Sequence, residues 1–598
     1  MVNKTIIDFL KDRAMKNTDD LAFRFMGNGE LDGPITEWTF SELYHQSAGV
    51  AADLVEQDLV GSSILLAFPP GLDFVKAFYG CLLAGVQAVP VPLPNPRSKN
   101  PLGRILKTAE ACSASIVLTN RQLAEMVATM GAELPVILRA VSNRVVTGWT
   151  GPRVGMNEVA YLQFTSGSTG HPKGVAVRHA NAVANLRVMG QMLRIKSTAS
   201  AMVWAPHYHD LCLVGHILGP VYYGFKSTLM SPLDFLQKPV RWLRVMSHYK
   251  IANTACPNFG YEYSTRRIKP EECEGLDLSH WVIAGNGGEP VLPKTLDAFT
   301  KKFEPYGFRP QAFMPCYGMA ESVLFVAGLK PLSRSPKMLT LSTKDLEEHT
   351  VRVVTDNENG QRKIVSCGRP GYNHRAIAVD PVTLTPTHPN QIGELWVQGP
   401  SVPREYFGLP EESEATFEGH LADTKEGPFL RTGDLGFIAD GEIYLTGRLK
   451  DLIIIAGKNH YPNDIELTVQ QSGAPVRIGS CAAISESING VEELVIIAEL
   501  DERQLPEDDP SEDPGAVSLK EFWDSAVRTV QGAVAKGHGI AVRSVVFVEP
   551  RSLEKTSSGK PRRQHYRKLY LKRALAAIHE QRSLQSIFQI PRGHSQDH

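Results

Sequence analysis

The chain has 598 residues, of which 42% are hydrophobic and 21% charged, and this composition is typical of a globular protein with more than one domain. It excludes a disordered or fibrous chain. The 63 Lys and Arg residues nearly balance 64 Asp and Glu residues, so there is no broad basic surface for nucleic acid and any phosphate site must be local.

The cysteine pattern and the apolar stretches indicate a cellular location. Eight cysteines are scattered singly, without the CxxC spacing of a zinc site or the density of a disulfide scaffold, which favours a reducing compartment. Charges interrupt the amino-terminal segment 1–17, so it predicts an amphipathic surface helix and not a signal peptide. Other apolar stretches are too short and too broken by proline to cross a bilayer. We therefore expect a cytoplasmic protein that is not an integral membrane protein.

The first part of the chain alternates helix and strand. A capping-box pattern, Thr39 with Glu42, begins a predicted helix that ends near Glu56, and the run "SILLAF" (63–68) follows as a buried strand. The alternation continues with helices predicted at 73–85 and 100–113 and strands at 86–93 and 114–120. This rhythm predicts an α/β domain with a covered, mostly parallel sheet.

The pattern changes in the last third of the chain. From about 382 to 447, short runs separated by turns predict a smaller β-rich subdomain. A separate domain is expected after "GRLKD" (447–451), which divides the chain into a large amino-terminal domain, 1–449, and a smaller α+β domain, 450–598. The acidic stretch 501–515 is predicted to be a solvated loop between a strand and a helix.

A strand end meets a glycine-rich loop in "YLQFTSGSTGHPKG" (161–174). Its backbone N–H groups and hydroxyl groups can converge on an anion, for which phosphate is the natural candidate. The usual nucleotide pattern GxxxxGK(S/T) is absent, because Lys173 follows Pro172 and precedes Gly174. Taken alone, the loop is equally well explained as an ordinary surface loop. The residues expected to contact phosphate are Thr165, Ser166, Gly167, Ser168, Thr169, Gly170 and Lys173.

Further motifs follow this loop in order: "PHYHDLCLVG" (206–215), "GGEP" (287–290), "YGMAE" (317–321), "RTGDLG" (431–436), "GRLKD" (447–451) and "KTSSGKPRR" (555–563). Together with the loop they resemble the signatures of the adenylate-forming enzymes, which include acyl-CoA synthetases, luciferases and the adenylation domains of peptide synthetases. The resemblance spans nearly the whole chain. It implies a large amino-terminal domain joined by a short hinge to a mobile carboxy-terminal domain.

The resemblance also implies a binding site for ATP. The glycine loop would hold the β- and γ-phosphates, and Glu321 would help to hold Mg²⁺. Asp434 is expected to bind the ribose hydroxyls and Arg448 to lie near the ribose and phosphate. Taken singly, Asp434 is better explained by a turn and Arg448 by a surface charge, whereas the motifs taken together favour the ATP site. The residues expected to flank the adenine are Gly287, Gly288, Glu289, Pro290, Tyr317 and Gly318.

Two residues are expected to act in catalysis by the same resemblance. Lys560 is similar to the lysine that bridges the carboxylate and the α-phosphate as charge develops, and His209 to the residue beside the acyl carboxylate. Lys560 is also explained as one more solvated cation of a basic tail, and His209 as a structural histidine. A metal site at His207, His209 and Asp210 lacks the further ligands of a defined zinc centre.

The phrases "MSPLDFLQKPVRWL" (230–243), "CPNFGYEY" (256–263) and "VSCGRPG" (365–371) resemble the fatty acyl-AMP ligase branch in particular. This implies a medium- or long-chain fatty acid as substrate. The segment 211–263 would line its alkyl channel, while core packing explains much of that segment equally well. The branch carries an additional polar segment that disfavours transfer to CoA, and the stretch from about 331 to 366 fits it, or is an ordinary surface excursion.

The branch's second substrate is the phosphopantetheine thiol of an acyl carrier protein, reached after the carboxy-terminal domain rotates about Lys450. Three alternatives stay open. These are an acyl-CoA ligase, an amino-acid-activating enzyme in which Asp210 binds the substrate ammonium, and a non-enzymatic acyl or nucleotide sensor.

Overall fold

The structure is a computed structural model, and the residues it describes are 4–94, 101–129, 135–165, 172–355, 360–488, 491–504, 519–555 and 561–582. Helices and strands alternate along most of these residues, and the predicted α/β class is confirmed. No helix of these ranges combines the length and apolar composition needed to cross a bilayer.

The α-helices range from 3 to 20 residues, and many of them separate consecutive strands. A π-helical turn, Leu213–Leu218, lies between the seventh and eighth of them. In chain order, the α-helices of the described ranges are α1 (Ile6–Lys16), α2 (Phe40–Glu56), α3 (Leu72–Ala84), α4 (Gly103–Ala111), α5 (Arg121–Thr129), α6 (His179–Leu193), α7 (Asp210–Cys212), α8 (Gly219–Tyr223), α9 (Pro232–Gln237), α10 (Val240–His248), α11 (Asn258–Arg267), α12 (Pro293–Phe303), α13 (Thr343–Glu347), α14 (Pro410–Phe417), α15 (Pro462–Gln471), α16 (Leu519–His538) and α17 (Arg563–Leu571).

The strands of the same ranges are numbered in the same way. They are β1 (Leu21–Met26), β2 (Ile35–Thr39), β3 (Ser63–Leu66), β4 (Gln87–Pro90), β5 (Ile116–Thr119), β6 (Ile137–Ala140), β7 (Val159–Thr165), β8 (Lys173–Arg178), β9 (Ser200–Val203), β10 (Lys226–Met230), β11 (Asn253–Cys256), β12 (Ile283–Asn286), β13 (Phe313–Gly318), β14 (Phe325–Gly328), β15 (Met338–Ser342), β16 (Gln361–Val365), β17 (Arg369–Pro370), β18 (Arg375–Val379), β19 (Gly393–Gln398), β20 (Leu430–Ala439), β21 (Glu442–Arg448), β22 (Ile453–Ile455), β23 (Lys458–His460), β24 (Val476–Ile488), β25 (Val491–Leu500), β26 (Val542–Val548) and β27 (Ala577–Arg582).

One sheet, called sheet A, has the strand order β17-β14-β13-β12-β11-β9-β10-β1-β2. Its central strands, from β13 to β1, pair in parallel. Alternate residues of these strands point to opposite faces of sheet A. Val203 packs in the core that contains side chains of α6, and Met202 in the core that contains side chains of α10. Because the strands are parallel, the loops that leave the carboxyl ends of β9, β11, β12 and β13 meet along one edge, where ligands commonly bind in such sheets.

A second sheet, sheet B, has the order β6-β5-β3-β4-β7-β8. Its parallel core contains the strand predicted at 63–68, and the capping box of Thr39 and Glu42 begins α2 as predicted. The last two strands form an antiparallel hairpin in which Thr165 pairs with Lys173. The hairpin therefore holds Thr165 and Lys173, at the two ends of the glycine-rich loop, next to each other.

Four further sheets complete the described part of the fold, and two of these are the two-stranded pairs β15-β16 and β22-β23. Sheet C is antiparallel, in the order β18-β19-β20-β21, and precedes a 3-10 turn at Leu449–Asp451. Sheet D, in the order β24-β25-β26-β27, belongs to the carboxy-terminal part. Side chains of α15 and α16 pack in one core of sheet D and those of α17 in another, because alternate residues of β24 and β25 point to opposite faces.

Candidate functional site

A cavity of about 1400 Å³ opens at the carboxyl edge of sheet A. Sheet C, the hairpin of sheet B and the carboxy-terminal part also contribute to its walls. The predicted site residues that line it are Thr165, Lys173, His209, Gly287, Gly288, Glu289, Pro290, Tyr317, Gly318, Glu321, Asp434, Arg448 and Lys450. The other predicted site residues, Ser166, Gly167, Ser168, Thr169, Gly170 and Lys560, lie outside the described residues.

Asp434 joins two of these residues by direct contacts. It faces Arg448 across β20 and β21, and Arg448 Nε donates to Asp434 Oδ1 at 2.8 Å. Tyr317 Oη donates to Asp434 Oδ2, also at 2.8 Å. The carboxylate raises the pKa of Arg448, and burial followed by the same charge raises the pKa of Tyr317. The trio therefore holds a carboxylate, a hydroxyl donor and a cation at the cavity wall.

Tyr406 is a cavity residue that the sequence motifs did not indicate. Its hydroxyl donates to Glu321 Oε1 at 2.9 Å, and Lys173 Nζ lies 5.2 Å from the centre of its ring. Burial, and then the charge of Glu321, raises the pKa of Tyr406, which keeps the phenol protonated. The segment around it bonds to the β8 hairpin, with Phe407 N donating to the Gly174 carbonyl at 2.7 Å. Tyr406 therefore connects the loop's lysine to Glu321.

The "GGEP" loop follows β12 and bends along the cavity. A Cβ on Gly287 would lie 2.9 Å from the Cys316 carbonyl oxygen, and Gly288 has φ +77°, a left-handed conformation that favours glycine. Glu289 Oε2 accepts a hydrogen bond from Phe259 N at 2.9 Å, which fixes the end of the loop. Glycine at these two positions therefore allows the close approach to Cys316 and the left-handed turn that follows.

His209 and its neighbours occupy the loop after β9. His209 Nδ1 lies 2.6 Å from Asp210 Oδ1, and the Leu211 backbone N–H donates to the same oxygen at 2.7 Å. His207 instead packs against Phe74 of α3, with the two ring centres 4.1 Å apart, and burial lowers the pKa of His207 to about 3. Among the described residues, no three acidic, His or Cys side chains form a metal cluster.

Part of the cavity wall is apolar, and we call this part the apolar recess. Its side chains come from α6, from the strands of sheet A and from the residue before β10, and they are Met189, Leu193, Ala201, Phe225, Ile283 and Met314. The segment 211–263 divides between this wall and the core. Leu211, Gly215 and His216 line the cavity, whereas Leu213, Val214 and Ile217 are fully buried in the core.

In the carboxy-terminal part, the start of α17 forms part of the cavity wall. Pro561, Arg562 and Arg563 line it. Arg563 donates to both carboxylate oxygens of Glu466, at 2.6 and 2.7 Å, and to Asp451 Oδ2 at 3.0 Å. Arg563 therefore ties α17 to α15 and to the turn that contains Lys450.

The stretch 331–366 also contacts the carboxy-terminal part. It contains β15, α13 and β16, and Arg362 at the start of β16 pairs with Asp464 of α15 at 2.9 Å. Arg362 Nη2 donates to the Thr446 carbonyl at 3.0 Å, and Asn459 Nδ2 donates to the Glu347 carbonyl at 2.8 Å. Thr446 precedes Lys450 in the chain, and Asn459 and Asp464 follow it. The stretch 331–366 therefore contacts the chain on both sides of Lys450.

Comparisons with known proteins identify a common family. A family model described as AMP-binding enzyme matches residues 10–407. The chain is 38% identical over 582 residues to the medium-chain-fatty-acid–acyl-carrier-protein ligase JamA of Moorena producens, with 96% of each chain covered. It is 32% identical over 608 residues to the long-chain-fatty-acid–AMP ligase FadD32 of Mycolicibacterium smegmatis, with 96% of this chain and 95% of the relative covered.

A solved structure extends the agreement to the fold. The crystal structure of a fatty acid AMP ligase from Legionella pneumophila is 34% identical in sequence and has a TM-score of 0.72. The match covers 97% of this chain and 98% of that one. The similarity therefore includes the amino-terminal sheets and the carboxy-terminal part.

Proposed function

The chain belongs to the AMP-binding enzymes and, among them, to the fatty acyl-AMP ligases, and on this premise we propose that it activates a medium- or long-chain fatty acid with ATP. The acid's carboxylate attacks the α-phosphorus, the bond to the β-phosphate oxygen breaks, and pyrophosphate leaves with the electron pair. The product is acyl-AMP. The observation that carries this proposal is the convergence of Lys173, Tyr317, Glu321, Asp434 and Arg448 on one cavity.

The ATP site would use these residues in different ways. Asp434 accepts hydrogen bonds from the ribose hydroxyls, and its contacts with Tyr317 and Arg448 hold its carboxylate in place. The glycine loop and Lys173 bind the β- and γ-phosphates, and the "GGEP" loop lies against the adenine. Cations and donors fixed in advance stabilise the charge that develops at the α-phosphate.

Glu321 is the proposed ligand of Mg²⁺. Mg²⁺ prefers oxygen ligands and is usually bound by one or two carboxylates together with substrate phosphates and water. Tyr406 donates to one oxygen of Glu321, so this carboxylate is held at the cavity wall and fits such a role. When bound, the ion would neutralise charge on the phosphates.

The acyl chain is proposed to enter the apolar recess, with its carboxylate beside His209. Each buried CH₂ contributes about 0.8 kcal/mol, so apparent affinity should rise with chain length until the recess is filled. Lys560 is proposed to bridge the carboxylate and the α-phosphate, and Pro561, the next residue, lines the same cavity.

For the second step we propose transfer of the acyl group to the phosphopantetheine thiol of an acyl carrier protein. JamA is named as a ligase of this kind. The thiol sulfur attacks the acyl carbonyl, and AMP leaves, after domain 450–598 rotates about Lys450 relative to domain 1–449. Contacts such as Arg362 with Asp464 support a restraining role for the insertion 331–366, which disfavours transfer to CoA.

The protein is proposed to act in the cytoplasm. The eight cysteines are all free thiols, and seven of them are buried, which suits a reducing compartment.

The β-rich subdomain of about 382–447 would be the part of domain 1–449 that positions Asp434 at the ATP site.

Product analysis tests this function. Purified enzyme with Mg-ATP and dodecanoic to hexadecanoic acids is expected to release pyrophosphate and form acyl-AMP, and to acylate a phosphopantetheinylated carrier protein much faster than CoA. The measurement is chromatography of the acyl products. Efficient acyl-CoA formation would contradict the proposed acceptor and favour an acyl-CoA ligase. ATP binding without acid-dependent pyrophosphate release would indicate a sensor, and stimulation by amino acids alone would indicate amino-acid activation.

Asp434→Asn is expected to raise the KM for ATP by roughly tenfold to a hundredfold, since hydrogen bonds to a charged group are worth about 1.5–3 kcal/mol. Asparagine keeps the size of the side chain but loses the charge and one acceptor. Pyrophosphate release at varied ATP measures the effect. Asp440→Asn is the matched control, because Asp440 follows the same strand and its side chain is 76% exposed. Equal KM values in the two variants would refute a ribose-binding role for Asp434.

A further inference from the structure

Asn253 is a polar residue of the cavity wall that the proposed reaction does not use. It is the first residue of β11, and it lines the cavity and is only partly buried. Among the described residues its side-chain amide has no hydrogen-bond partner, and neither amide atom is enclosed away from solvent. The amide can therefore interact with a molecule that enters the cavity.

The strand register shows on which face of sheet A the Asn253 side chain lies. Asn253 pairs with Ala201 of β9 and with Ile283 of β12, and Ile283 packs in the core that contains side chains of α6. The next residue, Thr254, pairs with Met202, which packs in the core that contains side chains of α10. Because successive side chains of a strand point to opposite faces, the Asn253 amide lies on the α6 face.

The same register places Asn253 within the apolar recess. Ala201 and Ile283, its partners on the two neighbouring strands, both belong to the recess and line the cavity. Neighbouring strands are about 4.8 Å apart, so an alkyl chain that lies over this row contacts the amide together with the two apolar side chains. Asn253 is thus a polar group within an otherwise apolar row.

The position of Asn253 in β11 gives its depth. The strand ends at Cys256, which pairs with Asn286, the residue before the "GGEP" loop. Asn253 lies three residues earlier, which corresponds to about 10 Å at roughly 3.3 Å per residue. An extended chain advances roughly 1.2 Å per bond, since the three backbone bonds of one residue span about 3.3–3.6 Å. The part of an acyl chain that lies over sheet A therefore reaches Asn253 after roughly eight bonds.

Two opposing effects act on an alkyl chain that grows toward Asn253. Each further CH₂ buried against the apolar side chains favours binding. A tail that reaches Asn253 displaces water from the amide and offers no hydrogen bond in return. Leaving a polar group unpaired costs more than one further CH₂ contributes, so the second effect outweighs the first at this depth.

We propose that Asn253 limits the length of the acyl chain. The preferred substrates are medium-chain fatty acids whose tail ends before the amide, and longer acids are activated less efficiently. Asn253 acts as a specificity-determining residue for the acid. This inference rests on the proposed function, because it assigns the recess to the acyl chain.

The test measures acid-dependent pyrophosphate release with saturated acids from hexanoic to hexadecanoic acid, in steps of two carbons. In the unmodified enzyme, kcat/KM is expected to rise up to roughly ten carbons and then to fall by about tenfold as the tail passes Asn253. Asn253→Leu has nearly the same shape without the amide, so the ratio of kcat/KM for tetradecanoic acid to that for octanoic acid should increase by about tenfold. Asn157→Leu is the matched control and should keep the ratio, because Asn157 is exposed and does not line the cavity.

The leucine variant separates polarity from a lack of space. If the recess simply ended at Asn253, Asn253→Leu would keep the fall in kcat/KM, and the proposal would be overturned. Asn253→Val and Asn253→Thr form a second pair of equal size in case leucine prevents folding. Valine should remove the fall, and threonine, which has a hydroxyl group, should keep it.

The failure of this inference differs from the failure of the proposed function. A kcat/KM that rises as far as hexadecanoic acid in the unmodified enzyme would overturn the length limit and leave fatty acid activation intact. No pyrophosphate release with any of the acids would refute the proposed function, and this inference with it. A fall that disappears only in the variants with an apolar residue at position 253 supports the proposal.

Discussion

Lys560→Ala is expected to slow formation of acyl-AMP by about two to three orders of magnitude, because one preorganised donor at a developing charge is worth about 3–4 kcal/mol. The lysine is proposed to bridge two anions, the substrate carboxylate and the α-phosphate, only as they react. Affinity for ATP should therefore change little. Rapid-quench measurement of acyl-AMP from labelled ATP gives the rate, and calorimetric titration with ATP gives the affinity.

The basic tail offers a control for this prediction. Lys572 lies just beyond α17 in the same run of cations, and its side chain is exposed. If Lys560 were one more solvated cation, Lys560→Ala and Lys572→Ala would behave alike. We expect Lys572→Ala to form acyl-AMP at the unmodified rate. A large loss of ATP affinity in Lys560→Ala would instead place its role in nucleotide binding and contradict the proposed bridge.

Local patterns were sufficient to predict much of the fold. The capping box at Thr39 begins α2, and the apolar run at 63–68 contains β3, because caps and apolar periodicity act within a few residues. Parallel strands then place the ends of β9, β12 and β13 at one edge of sheet A. That geometry explains why motifs separated by more than a hundred residues, such as 206–215 and 317–321, line the same cavity.

The residues that the sequence did not reveal have distant partners. Tyr406 contacts Glu321, which lies 85 residues earlier, and no motif marks the tyrosine. Arg563 is the last residue of the motif "KTSSGKPRR", and further cations follow it in the sequence. Its side chain is nevertheless only 12% exposed. Its partner Glu466 is 97 residues away. Such pairs depend on how helices and sheets pack, which hydrophobic periodicity and turn patterns do not specify.

Arg563→Ala is expected to lower the stability of the carboxy-terminal part by about 3–5 kcal/mol, the cost of removing one partner from a buried ion pair. Glu466 and Asp451 would keep their charges without the guanidinium, and their side chains are only 7% and 12% exposed. Glu466 would retain one hydrogen bond, from the Ala483 backbone N–H at 3.0 Å. Hydrogen exchange of β24 and β25 amides should report the loss, because it measures local opening directly.

The preceding residue is a matched control for this variant. Arg562 pairs with Glu554, but the two side chains are 31% and 58% exposed, and exposed ion pairs contribute only about 0–1 kcal/mol. Arg562→Ala should therefore leave exchange in β24 and β25 almost unchanged, while Arg563→Ala accelerates it and leaves the strands of sheet A protected. Equal exchange in the two variants would show that the Arg563 contacts do not hold α17 to α15. Acceleration in every sheet would indicate that the ion pair stabilises the whole chain and not the carboxy-terminal part alone.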